Sequence, residues 1–184
     1  MDHGLPPETP SDLVRRALRE YEGPLVGYAV SLLSDLELAR DAVQDTFLKL
    51  YEQEPGKVKA AGLKSWLFTV CRNRCLDLLR RRKRLVSMEE ESVGEPVSSE
   101  RSPAEILETG EEAGQVIQLL KRLPPNQQEV IQLKFQADLS YREISEATGL
   151  SISNVGFLIH TGLKRLRQMM SHEIQTRPEP NFAV

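Results

Sequence analysis

Between Cys71 and Arg84 the chain sets Arg72, Arg74, Arg80, Arg81, Arg82, Lys83 and Arg84 against one acid, Asp77, for a local net charge of +6. Guanidinium groups form forked, charge-assisted hydrogen bonds with phosphates. The consecutive cations from Arg80 to Arg84 repel one another unless an anion lies alongside. These residue types therefore point to a nucleic-acid backbone, and Asn73 adds a group that can hydrogen-bond an unstacked base. The plain alternative is a solvated helix end.

A second candidate is GLSISNVGFLIHTGLKRLR, residues 149–167, a tight turn feeding a helix. Val155, Ile159, Gly162 and Leu166 share an inward stripe, which leaves Ser153, Asn154, Gly156, Phe157, His160, Thr161, Lys164 and Arg165 facing out. Asn154 could read an adenine edge and Phe157 could pack on a thymine methyl. Equally, Asn154 could be a capping residue and Phe157 a core residue. His160 reads as a surface or phosphate-facing histidine. The front of this helix carries no cation, so its grip on DNA has to come from Lys164, Arg165 and Arg167 behind it, with Arg142 on the preceding helix.

Catalytic chemistry finds no support. There is no phosphate-cradling glycine-rich loop, no metal-spaced Cys/His set, and His3, His160 and His172 lack a nucleophilic partner pattern. Cys71 and Cys75, four apart, could be half a metal site or a redox pair. With Leu67 and Leu78 they also form one apolar helical stripe, which reads as reduced thiols in a core. No catalytic residue, cofactor or metal is expected.

The elements that must hold these groups are all helical. Ser11 can cap a first helix that Gly23-Pro24 ends, and a short second helix follows to about Leu33. Ser34-Asp35-Leu36-Glu37 has the capping-box form and opens a third, with Leu36, Ala39, Val43, Phe47 and Leu50 at helical spacing. A fourth runs from about Leu63 through Trp66, which reads as core, into the arginine run. Residues 11–85 thus read as a four-helix module.

Residues 88–112 carry nine glutamates against Arg101, a net −8, so the −3 of the whole chain hides a strong polarity. This acidic, Ser/Pro/Gly-bearing stretch cannot bury enough surface to order itself and reads as a linker over 86–111. It could screen the basic helix, follow a basic channel of a partner, or merely solubilise. Helix resumes at Ser102-Pro103, stops at Leu123-Pro124-Pro125, and returns over Gln127–Phe135. Ser140-Tyr141-Arg142-Glu143 is a second capping box, opening a helix that Gly149 ends; Ser151 or Ser153 then caps a last helix to about Met170. A helix-turn-helix module over 112–171 and a frayed tail over 172–184 complete the chain.

LPPNQQEVIQLKFQADLSYREISEATGLSISNV (123–155) resembles the −35-reading region of sigma-70-family transcription initiation factors. ARDAVQDTFLKLYE (39–52) and KSWLFTVCRNRCLDLLRRRKR (64–84) resemble the region that docks on RNA polymerase and opens the −10 element. With two such regions and only a linker between them, the chain is similar to the extracytoplasmic-function (ECF) class.

The resemblance implies that Asp41, Gln44, Asp45 and Phe47 occupy the positions that dock on the polymerase's largest subunit. Trp66, Leu67, Phe68, Asn73 and Asp77 meet the pattern of the −10 helix, so that Lys64, Arg72, Asn73, Arg80, Arg81 and Arg84 would meet the melted strand, together with a loop at roughly 53–63. Arg142, Ser153, Asn154, Phe157, His160, Thr161, Lys164, Arg165 and Arg167 would meet the −35 duplex. The chain departs from the family at Gly156, Leu158 and Thr161, where members commonly carry lysine or arginine. The implied partners are core RNA polymerase and promoter DNA. Members often pair with an anti-sigma factor, which no residue here demonstrates. A stand-alone helix-turn-helix regulator is the competing class, and it leaves the docking-like and basic helices without work. No run reaches the roughly 20 apolar residues of a membrane span, and MDHGLPPETP lacks a signal-peptide layout, so a soluble cytoplasmic protein is expected.

Overall fold

The computed structural model describes residues 9–54, 57–58, 62–90 and 111–176, and among these every regular element is an α-helix. Thr9, not Ser11, opens α1 (Pro10–Leu33): its hydroxyl accepts the Asp12 N–H at 3.2 Å, and proline fills the first turn, where no N–H is needed. The helix does not stop at Gly23-Pro24. Both residues lie on the exposed side, so water serves the carbonyl that proline leaves unpaired, while Ala17, Leu25, Tyr28 and Ala29 bury one continuous face. The two helices expected here are therefore one.

Ser34 ends α1 in the left-handed conformation (φ 53°), its N–H donating to the Val30 carbonyl, and Asp35 takes the cap of α2 (Leu36–Tyr51) by accepting from Leu38 N–H at 3.1 Å. Neighbouring cap-forming residues divide the work, and the capping box expected at Ser34 and Glu37 gives way to a helix–turn–helix corner. α3 (Leu63–Glu90) continues without a break through the arginine run, past the point where linker was expected to begin. Residues 91–110 of the acidic stretch, with the helix start expected at Ser102-Pro103, and residues 55–56 and 59–61 of the 53–63 loop lie outside the described residues.

α1, α2 and α3 pack on one another around Leu33, Val43, Phe47, Leu50, Leu67 and Phe68; the Tyr28 and Phe68 rings meet edge to face at 5.6 Å. Cys71 and Cys75 are free thiols buried in this core, where their mutual hydrogen bond and burial push the Cys71 thiol up.

In the second half, α5 (Pro125–Phe135), α6 (Tyr141–Thr148) and α7 (Ile152–Thr176) surround Leu133, Leu139, Ile144, Val155 and Ile159, while α4 (Glu111–Lys121) packs on α7 in a second cluster of Leu119, Leu120, Leu123, Ile131 and Leu166. The α6 capping box forms as read: Ser140 Oγ accepts from Glu143 N–H at 3.3 Å and Glu143 Oε2 accepts from Ser140 N–H at 2.7 Å. Gly149 ends α6 at φ 75°, a conformation that favours glycine. The inward stripe of α7 is Val155, Ile159, Gly162 and Leu166, as the spacing predicts, and the helix runs past Met170 to Thr176. Gly162 admits close approach of α5, since a Cβ there would stand 2.6 Å from Ile131 Cδ1.

The two halves touch. α6 packs on α3 and α5 on α1, and one apolar cluster runs through both.

Glu143 carries a testable consequence. Burial works upward on its carboxyl, but the bonds to Ser140 and the charge of Lys64 outweigh it and hold it below its ordinary 4.5. A depressed carboxyl stabilises above its unfolded pKa and loses that contribution as pH falls through the folded one. Glu143→Gln should therefore lower the thermal midpoint at neutral pH and converge on the parent as pH falls below the ordinary carboxyl range and through the depressed folded value; parallel curves across the titration would contradict this.

Candidate nucleic-acid and polymerase interface

On α2, Asp41 and Gln44 are exposed, as a docking face requires, and Phe47 is buried beneath them. Asp45 is already engaged: its Oδ2 lies 2.6 Å from Arg74 Nε of α3. That contact is a charge pair without a directed hydrogen bond, because the Arg74 N–H is not aimed at the oxygen. Asp45 thus braces α2 on α3. Beside this face lies a groove of about 530 Å³ between α1 and α2, lined mainly by Val14, Leu18, Val26, Phe47, Leu48 and Tyr51.

α3 divides the −10 candidates into two groups. Asn73, Arg80, Arg81 and Arg84 are exposed, Arg80 leaning on Asp77 one turn away at 2.8 Å. Lys64 and Arg72 instead face the second half of the chain. Lys64 Nζ donates to the Asp138 carbonyl at 2.8 Å. Arg72 sends Nε–H and Nη2–H to the two oxygens of Glu129 at 2.7 and 3.3 Å, a forked carboxylate bond, and Tyr28 O–H donates to the same carboxylate at 2.8 Å. Burial lowers the hold of Arg72 on its proton, but the Glu129 bonds and charge reverse this and raise its pKa. Burial, then Glu129, push the Tyr28 phenol well above its ordinary range. Trp66 is half-buried against the core.

On α7, Ser151 is the cap, accepting from Asn154 N–H at 3.2 Å, which leaves the Asn154 side chain exposed and removes its capping role. Phe157 is 64% exposed, so it belongs to the surface and not to the core. Ser153, His160, Lys164, Arg165 and Arg167 are exposed, as is Arg142, which pairs with Glu146 at 3.1 Å. Thr161 departs from the outward reading. Its hydroxyl donates to the Phe157 carbonyl at 2.8 Å and accepts from Gln127 at 3.1 Å, tying α7 to α5. Arg165 also reaches Gln127, at 3.3 Å.

Gln127, Glu129 and Gln132 escaped the sequence reading, although all are buried. The available signal was a helix, PNQQEVIQLKF, with no clear polar face, which marks a helix covered on more than one side.

A three-helix unit with an exposed acidic face and a cation-bearing helix, followed by a helix-turn-helix, is the arrangement of a transcription initiation factor. Residues 17–85 match sigma-70 region 2 and residues 113–166 match sigma-70 region 4. The ECF RNA polymerase sigma factor RpoE of Cereibacter sphaeroides is 32% identical over 135 residues, covering 73% of this chain and 71% of its own. The ECF sigma factor SigM of Bacillus subtilis is 26% identical over 159 residues, 84% of this chain and 93% of its own. Among solved structures, the sigma factor RpoE bound to the anti-sigma factor NepR from Bartonella quintana superposes with a TM-score of 0.67 at 26% identity, covering 85% of this chain and 96% of that one. The chain belongs to the sigma-70 family of RNA polymerase sigma factors, in the ECF class. CnrH in complex with the cytosolic domain of CnrY, at 21% identity and a TM-score of 0.59, shares the fold.

The cation-poor front of α7 yields a prediction. A Cβ at Gly156 would meet only the Tyr141 ring, at an ordinary 3.5 Å, so a longer side chain fits. Gly156→Lys should strengthen binding to non-specific duplex DNA and steepen the log–log salt slope by about 0.9, the value of one added phosphate contact. Anisotropy titrations over a salt series would show it, and an unchanged slope would mean this face does not meet the backbone.

Proposed function

We propose that this chain recruits core RNA polymerase to promoters with its first module on the polymerase and the −10 element and its second on the −35 element. The observation that carries the reading is the presence of both sigma regions, in order, in one chain. Bond-making belongs to the polymerase, so the protein needs neither cofactor nor catalytic residue of its own.

Asp41 and Gln44 offer hydrogen-bonding and acidic groups to a basic coiled coil, on a helix held in place by the buried Phe47 and by the Asp45–Arg74 pair. Asn73 presents an amide to an unstacked base, and Arg80, Arg81 and Arg84 follow the phosphates. Asn154 and Phe157 read the −35 groove while Lys164, Arg165 and Arg167 hold its backbone. A stand-alone helix-turn-helix regulator would leave residues 17–85 without a role. Among the described residues no helix is long and apolar enough to cross a membrane, and a chain serving polymerase works in the cytoplasm. One structural neighbour is a sigma factor in complex with the anti-sigma factor NepR; the α1–α2 groove beside the docking face is where such a partner would compete with polymerase here.

Core polymerase with and without the protein, on promoters mapped by sequencing transcripts after overexpression, tests the assignment: specific initiation should depend on the protein. Tight promoter binding by the protein alone, with no effect on core enzyme, would support the regulator instead. Asn73→Ala should reduce promoter opening up to roughly tenfold, the value of about 1 kcal/mol or slightly more for one lost hydrogen bond to a captured base, while leaving assembly with core unchanged. Equal loss of both would make Asn73 structural.

A further inference from the structure

Gly162 lets α5 approach α7 so closely that the stem of Gln127 lies against it: a Cβ at Gly162 would stand 3.3 Å from Gln127 Cβ. Gln127 is buried, yet both poles of its amide are used on α7. Its Nε2–H donates to Thr161 Oγ1 at 3.1 Å, and its Oε1 accepts from Arg165 Nη1 at 3.3 Å. The orientation is forced. Thr161 already commits its one hydroxyl proton to the Phe157 carbonyl at 2.8 Å, so towards Gln127 its oxygen can only accept, and a guanidinium can only donate. An amide turned the other way would match neither partner.

Thr161 and Arg165 stand about one turn apart on the same side of α7. Helical side chains lean toward the N-terminus of their helix, so Arg165 runs back over the turn that holds Thr161, toward the half of α7 that carries no cation of its own. Gln127 holds it there through Nη1 alone. The rest of the guanidinium fork stays available to an oxyanion, and Arg165 as a whole is exposed.

We propose that Gln127 is a positioning residue for the −35 contact: its amide, itself fixed by Thr161, holds the Arg165 guanidinium in place for a backbone phosphate before DNA arrives. The proposal rests on the assignment of Arg165 to the −35 duplex. An unbraced arginine gives up its rotamer freedom at each encounter, whereas a braced one has already done so on folding. Preorganisation thereby offsets part of what the front of α7 lacks in charge.

The test is a double-mutant cycle in assembled holoenzyme, read as affinity for a fluorescein-labelled duplex carrying a promoter mapped by transcript sequencing. Arg165→Ala should lower affinity and flatten the log–log salt slope by about 0.9, the value of one phosphate contact. Gln127→Met keeps an unbranched chain of similar length and removes both amide bonds. It should lower affinity roughly fivefold in the parent, the cost of ordering one long side chain on binding, and have no further effect in the Arg165→Ala background. Thr161→Val, which frees the other pole of the amide, should act in the same direction by less. Thermal unfolding confirms that Gln127→Met folds; if it does not, the same cycle with Thr161→Val carries the test.

Equal losses from Gln127→Met in both backgrounds would make Gln127 a packing residue only, and no loss in the parent would mean that Arg165 needs no brace; either result overturns the proposal. The underlying assignment is read separately. If Arg165→Ala changes neither affinity nor salt slope, the −35 role of Arg165 fails, whatever the amide does.

Discussion

The arrangement of the whole molecule turns on one buried carboxylate. Removing an ionised acid from water costs several kcal/mol even after relaxation, so Glu129 is tolerable in its buried position only with partners that restore what water supplied. Arg72 provides charge and two hydrogen bonds, and Tyr28 a third. These partners sit on two different helices of the other module, so satisfying Glu129 fixes the position of α5 against both α1 and α3. Breaking such a pair while it stays buried costs about 3–5 kcal/mol, whereas parting the modules lets each ion rehydrate and leaves the shared apolar cluster as the main cost. The contact therefore specifies one closed geometry without making it permanent.

α3 is the element on which the other constraints meet. One side supplies Leu63, Leu67, Phe68, Cys71 and Cys75 to the core of the first module. Another carries Lys64 and Arg72 toward α5 and α6, and its far end bears the arginine run. A helix asked to serve three neighbourhoods cannot show a single apolar stripe. Cations on one unbroken helix keep a fixed spacing, whereas those on a loop would have to be ordered at each encounter with a partner.

Much of this was legible because it was local. The α6 capping box needs only residues three apart, and the α7 stripe only a 3.6-residue period; both formed as read. Local rules failed where exposure decides the outcome. Pro24 breaks a helix when its freed carbonyl is starved of water, and on the outer side of α1 it is not. Ser34 and Asp35 are equally good caps in isolation, and the turn required by the α1–α2 corner chose between them. Thr161 sits on the outward arc of the period but finds Gln127 on the neighbouring helix, so its hydroxyl turns to α5. Least legible were the partners of Glu129, which lie 57 and 101 residues away and carry no periodic signature.

The uncharged front of α7 fits a protein whose modules act while tethered. Asn154 and Phe157, both exposed on that front, carry no charge and so supply little of the phosphate attraction that dominates affinity for duplex DNA. Weak binding by the lone module is acceptable when a second contact, made through the polymerase, holds it near its site, because tethering converts the encounter into one at an effective concentration of order millimolar. A strongly basic helix would gain affinity for every sequence alike and would occupy non-specific DNA before assembly. With the front of α7 nearly neutral and Arg72 and Lys64 folded against acidic and carbonyl oxygens, the isolated chain keeps the exposed cations at the end of α3 and in the second half of α7 for a phosphate backbone. Affinity then arises when polymerase brings both modules to one promoter, and discrimination rests on the few groups that touch bases.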